Sequence, residues 1–161
     1  MRLMFRDRFF SSGETEIFSE SREMLGTLDL RSAFTSSVDV YDQTGAIRCN
    51  GRFPMLSYKW EVTGPHGETL GRLRERMTFF SKKFTYETDG RGDYDIVSPA
   101  FSKEYEIFDM QEQLVARFEQ TSSWFESGAY CLDNQSPRLD DYELVAVIMG
   151  MHEIQQRHHH N

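Results

Sequence analysis

The chain has 161 residues, with 18 Lys and Arg against 26 Asp and Glu and so a net charge of −8. That is the length of one domain, enough to bury about 70% of the unfolded chain's surface without disulfides. The acidic balance argues against nucleic acid as a partner, because phosphate neutralisation needs clustered Lys and Arg, and against constitutive binding to an anionic membrane.

At the N-terminus, Arg2, Arg6, Asp7 and Arg8 interrupt the apolar stretch that a secretion signal needs, so a cytoplasmic protein is expected. From there the chain reads mostly with period two, the mark of half-buried strands. Tyr58, Trp60 and Val62 alternate with Lys59 and Glu61, Phe84 and Tyr86 with Lys83 and Glu87, and Tyr105 and Ile107 with Glu104 and Glu106. Turn residues separate the runs at Asp42 to Gly45, Gly64 to Gly67, Asp89 to Gly92 and Asp109 to Glu112. Apolar strand ends followed by a turn recur about every 22 residues, at Ile17, Val40, Val62, Tyr86, Ile107 and Tyr130. Six such units amount to about twelve short strands, which must close or stack to hide their edges. Cys49 and Cys131 lack a CxxC spacing and read as half-buried strand residues.

After Pro137 the pattern changes. Residues from about 139 to 155 suit a helix, with Asp140 and Asp141 placed to cap it. Leu144, Val145, Val147, Ile148, Met149 and Met151 cover every face, so the helix must be buried all round. Its apolar run falls well short of the ~20 residues that cross a bilayer, and no transmembrane segment is expected. Twelve tilted strands close into a barrel of roughly 12 Å radius, a bore that fits one helix. The expected fold is therefore all-β with one helix, a closed antiparallel barrel of about twelve strands around a buried C-terminal helix. Residues 1–155 form that single domain and 156–161 a flexible tail. Phe5, Val38, Val40, Ile47, Tyr58, Trp60, Val62, Leu73, Phe84, Tyr86, Tyr105, Ile107, Leu114 and Phe118 would face the helix.

The stretch Lys59-Trp-Glu-Val-Thr-Gly-Pro-His-Gly-Glu-Thr-Leu-Gly71, then Lys83 to Gly90, Leu114 to Phe118, Trp124, Phe125, Tyr130 and the terminal helix resemble the LURP-one-related family. That family belongs to the Tubby C-terminal-like superfamily, with the phospholipid scramblases. The resemblance implies the same helix-filled barrel. It also implies, through the superfamily, a lipid headgroup as a ligand class.

Candidate sites follow from residue type. Arg72, Arg74 and Arg76 alternate along one strand and share a face, and Lys82 and Lys83 follow, which makes a patch for an anionic ligand. Asp133, Asp140, Asp141 and Glu143 lie just ahead of or within the start of the helix, where the resemblance to scramblases suggests calcium, a cation that wants six or more oxygens. The stretch has no EF-hand spacing, and capping accounts for Asp140 and Asp141. His66 falls in a turn and His152 near the end of the helix, at a barrel mouth or in the tail. No Gly-x-Ser-x-Gly, P-loop, HExxH or dinucleotide-binding glycine pattern occurs, so no cofactor is expected. Arg91-Gly92-Asp93 and the His158 to His160 run receive no function. The reading is a non-enzymatic cytoplasmic binding or interaction module for an anionic lipid headgroup or a protein partner. The alternative is an enzyme or small-molecule carrier with a pocket at a barrel mouth.

Overall fold

Four of the hairpins are built on one turn. In each, a residue at the strand end both donates its N–H to and accepts from the far side of a short loop: Ser19 with Glu23 and Arg22, Asp42 with Ala46 and Gly45, Gly64 with Glu68 and Gly67, Asp109 with Gln113 and Glu112. The third loop residue takes a left-handed conformation, at Arg22, Gly45, Gly67 and Glu112. A bulge follows in the returning strand. This is the three-residue hairpin that closes with a bulge, and it supplies the recurrence seen in the sequence. The carboxylates of Asp42 and Asp109 hold it, each accepting the N–H groups two and four residues on.

In the computed structural model, which describes residues 1–6, 13–31, 37–76, 78, 81–99, 103–121 and 129–159, these hairpins join twelve strands. They are β1 (Arg2–Arg6), β2 (Glu14–Ser19), β3 (Met24–Arg31), β4 (Ser37–Asp42), β5 (Ile47–Arg52), β6 (Trp60–Thr63), β7 (Thr69–Arg76), β8 (Ser81–Thr88), β9 (Asp93–Pro99), β10 (Glu104–Phe108), β11 (Leu114–Thr121) and β12 (Ala129–Asn134). Each pairs antiparallel with the next, and β1 closes the barrel on β12, with Arg2 opposite Asp133 and Arg6 opposite Ala129. A single helix, α1 (Asp141–His159), runs back through the bore. It starts two residues later and ends four later than the sequence reading placed it, so the tail expected at 156–161 is helical as far as His159. Asp140 caps it, its carboxylate accepting the Tyr142 N–H at 3.4 Å. Trp124 and Phe125 of the family resemblance, together with Met77, Phe79, Phe80 and His160, lie outside the described residues.

Leu144 to Met149 are buried without a break. The helix lies against β4, β5, β6 and β7 rather than on the barrel axis. Glycine permits that approach: a Cβ on Gly150 would stand 2.3 Å from the Trp60 ring, and one on Gly51 of β5 would stand 2.5 Å from its other side. The indole N–H donates to the Ala146 carbonyl at 3.1 Å. Large rings fill the far side of the bore, with Phe5 stacked on Tyr130 at 5.3 Å and Tyr105 on Phe118 at 4.8 Å.

Of the expected inward set, three residues turn outward. Ile47 is 37% exposed and Leu114 43%, because bulges beside them break the strict alternation where β5 and β11 begin. Tyr58 precedes β6 and is 86% exposed. The Gly150 contact yields a test. Alanine in a helix interior gains about 1 kcal/mol over glycine, yet Gly150→Ala should lower stability by about 1–3 kcal/mol through overpacking. Urea unfolding followed by tryptophan fluorescence measures the sign.

Candidate functional site

The two ends of the barrel differ. At the hairpin end, where α1 begins, the turns carry Glu23, Asp42, Glu68, Asp89, Asp109 and Glu112. At the opposite rim, where α1 ends, lie Arg52, Lys59, Arg76, Lys82, Lys103 and Arg157, all exposed. Acids stand at the rim too, Glu14, Glu75, Glu104 and Glu119 among them, so the hairpin end is the more acidic and the rim is mixed in charge.

Strand phase decides which cations look inward at the rim. Lys82 is in phase with the buried Phe84 and Tyr86, and Lys103 with the buried Tyr105 and Ile107. Both lysines therefore top the bore on the aromatic side, away from the wall that the helix occupies. Together with Gln120, Tyr130, His152 and Gln155 they line a cavity of about 70 Å³. Gln155 donates its side-chain amide to the Tyr105 hydroxyl at 2.9 Å, and the Tyr130 hydroxyl and His152 Nδ1 share a hydrogen bond of 3.1 Å. Among the described residues neither lysine forms an ion pair.

Across the rim, the β5–β6 connection presents Met55, Leu56 and Tyr58 at 92%, 97% and 86% exposure. The loop is held rather than slack. Ser57 N–H donates to the Pro54 carbonyl, Ser57 Oγ accepts the Lys59 N–H, and Arg157 Nη1 donates to the Ser57 carbonyl at 3.4 Å. The Arg157 guanidinium also lies 3.5 Å over the Phe53 ring, which packs edge-on against Trp60. Leu56 has φ of 60°, a left-handed conformation unusual for a bulky side chain.

The hairpin end is sealed by polar groups. Glu143, on the first turn of α1, is 3% exposed. It accepts from both ends of the Arg91 guanidinium, at 2.7 and 2.8 Å, and from the Tyr86 hydroxyl. Arg91 also donates to the Leu70 and Arg138 carbonyls. Its hydrogen bonds to Glu143 hold its pKa well above the ordinary value, while burial first and Glu143 second push the Tyr86 phenol far up. Arg91 also borders a groove of about 220 Å³ with Tyr94, Asp109, Met110 and Val115, but its charge is committed to Glu143.

The five basic residues expected to form one patch fall on two faces. Arg72, Arg74, Arg76 and Lys83 point outward, and Lys82 inward. Arg72 pairs with Glu61 at 3.3 Å, Arg74 with Glu87, and Lys83 with Asp95 at 3.7 Å. That leaves Arg76 and Lys82 nearest the rim. The four acids considered for calcium do not converge either. Glu143 holds Arg91, Asp140 caps the helix and meets Arg48 at 2.7 Å, Asp141 accepts from Asn134, and Asp133 from Gln135. Among the described residues no group of three or more His, Cys, Asp or Glu could hold a metal ion. Lys103, Gln120 and Gln155 were missed from sequence, although the phase of Tyr105 and Phe118 shows that Lys103 and Gln120 face inward.

A twelve-stranded antiparallel barrel filled lengthwise by its own C-terminal helix is the Tubby C-terminal-like class of fold. Residues 1–151 match the family described as LURP-one-related, and the chain belongs to that family. It is similar to the X-ray structure of a protein from Arabidopsis thaliana, with a TM-score of 0.66 and 10% identity over 96% of this chain and 90% of that one, a likeness of fold. No curated protein matches the sequence. Among the described residues no helix is long and apolar enough to cross a membrane.

The sealed end has a pH signature. A phenol whose pKa is raised by folding contributes stability that is complete below its unfolded pKa and is lost as pH rises. The decline therefore begins near pH 10 for Tyr86, with Tyr142, also raised by burial, adding to it. The buried Cys49 thiol, raised chiefly by burial, starts earlier, near pH 9. Tyr86→Phe should cost about 1–2 kcal/mol at pH 7 and make the decline above pH 10 shallower. Glu143→Gln should cost about 2–4 kcal/mol, less than for a fully buried pair because Arg91 keeps some solvent. Urea midpoints from pH 7 to 11 measure both.

Proposed function

We propose that the protein is a non-enzymatic cytoplasmic binding module that docks on an anionic lipid surface through the rim at which α1 ends. The observation that carries this reading is the held loop bearing Met55, Leu56 and Tyr58, almost fully exposed beside Arg52, Lys59 and Arg157. Large apolar side chains on a fixed loop flanked by cations suit the boundary between headgroups and acyl chains. A left-handed leucine costs about 1–2 kcal/mol, and strain of this kind persists where it serves a site. The acidic turns stand a strand's length away, roughly 18 Å for a tilted strand of seven residues, beyond the ~8 Å reach of charge at physiological ionic strength. An interior filled by α1 speaks against a substrate chamber. Two free cysteines, Cys49 facing inward and Cys131 outward, suit a reducing compartment.

Vesicle sedimentation tests the reading. The protein should pellet with phosphatidylcholine vesicles carrying anionic lipid at low salt, and Leu56→Asp should weaken binding at least tenfold. Leu56→Gly should weaken binding while raising stability by about 1 kcal/mol, since glycine relieves the left-handed strain. No sedimentation at low salt would leave a protein as the partner of this rim.

A further inference from the structure

Inward positions of this barrel are apolar or aromatic along most of their length, because they meet a helix that is apolar on every face. Lys82 and Lys103 break that rule at neighbouring places, one on β8 and the other just ahead of β10, with only β9 between them. Two like charges facing one hollow repel each other. Arg72, Arg74, Lys83, Arg91 and Arg117 meet carboxylates. Lys82 and Lys103, like the exposed Arg52, Lys59 and Arg76, form no ion pair among the described residues, and of these only the two lysines line the rim cavity.

We infer that the rim cavity topped by Lys82 and Lys103 is a binding site for a tetrahedral oxyanion, a phosphomonoester or inorganic phosphate. The size fits: about 70 Å³ takes the space of roughly two waters, enough to seat one phosphate group. The chemistry fits as well. The two ammonium groups supply charge from above, and the side-chain amides of Gln120 and Gln155 supply neutral donors. The Tyr105 ring, stacked on Phe118, and the thioether of Met151 form an apolar floor that keeps the anion from settling deeper. His152 is fixed at the base of the site by Tyr130, so its ring reports on occupancy. The cavity exists because α1 leans on β4 to β7 and leaves the opposite wall to be filled by rings. The inference deepens the lipid reading, since a phosphomonoester headgroup presents the same group as free phosphate.

The full chain is titrated with inorganic phosphate, and the imidazole signals of His152 are followed by NMR. In parallel it is sedimented with phosphatidylcholine vesicles containing either phosphatidate or, at matched surface charge, phosphatidylserine. Saturable shifts of His152, weakened at least tenfold in Lys82→Met/Lys103→Met and unchanged in Arg72→Met/Arg74→Met, support the site. A preference for phosphatidate that the double lysine variant abolishes supports it with a lipid as the source. Phosphate binding without sedimentation supports the site with a free phosphate as the source, and removes the lipid reading alone. Sedimentation that is equal for the two lipids and indifferent to the lysines, or a His152 signal unmoved by phosphate, overturns the inference and leaves the docking rim standing on its apolar loop.

Discussion

The indole of Trp60 sits between two glycines, Gly51 in the wall and Gly150 in the helix, and gives its N–H to the Ala146 carbonyl. A bore lined evenly with side chains would hold a helix near its axis. Here the side chain is missing from wall and helix at one level, and a single large ring occupies both spaces. This draws α1 toward β4 to β7 and fixes its rotation, since only one face of the helix carries the glycine. The opposite half of the bore must then be filled by the longest rings available, Phe5, Tyr130, Tyr105 and Phe118, stacked in pairs. Rings fill the depth of the bore but not its mouth, and the rim cavity is what remains.

The helix is also fixed along its length. Glu143 enters the barrel as a charge in a nearly closed site, and Arg91 reaches it from the turn between β8 and β9. Burying a carboxylate of this kind stabilises little by itself and strongly penalises its misplacement. If the helix slid by one turn, Glu143 would lose Arg91 and Tyr86 together. The pair thus sets the depth of insertion, while Trp60 sets the lateral position. Both constraints fix where His152, Gln155 and Arg157 emerge at the other rim, 9, 12 and 14 residues beyond Glu143.

Much of this architecture was legible in the residues. Period-two runs, turns at Asp42, Gly64 and Asp109, and a helix apolar on every face lead to a closed barrel because they leave no other way to hide both edges and helix. The failures are local and have a common origin. Strict alternation carried through bulges places Ile47 and Leu114 inward; the bulge ahead of Leu114 follows a left-handed Glu112 that no glycine marks, whereas the one ahead of Ile47 follows Gly45, which marks the turn but not the extra residue after it. Glu143 read as part of an acidic stretch because its partner lies 52 residues away, in a tripeptide that looked like a surface turn. The basic patch shows the same limit. Counting from Phe84 places Lys82 inward and Lys83 outward, but only the folded barrel shows that Arg72 and Arg74 are already matched by Glu61 and Glu87.

A net charge of −8 opposes contact with an anionic surface, and its distribution along the barrel axis weakens that opposition at one rim. The hairpin turns need Asp and Glu for local reasons, to accept backbone N–H groups, as Asp42 and Asp109 do. The helix start needs them for its cap and its dipole. Both demands arise at the same end, because an up-and-down barrel with its helix entering after the last strand puts the tight turns and the helix N-terminus together. The acidity of the chain is thus largely a by-product of how this fold makes its corners. Free of those demands, the other rim can carry lysines and exposed apolar side chains, and on the docking proposed above the resulting asymmetry of charge along the barrel axis would orient the molecule before contact.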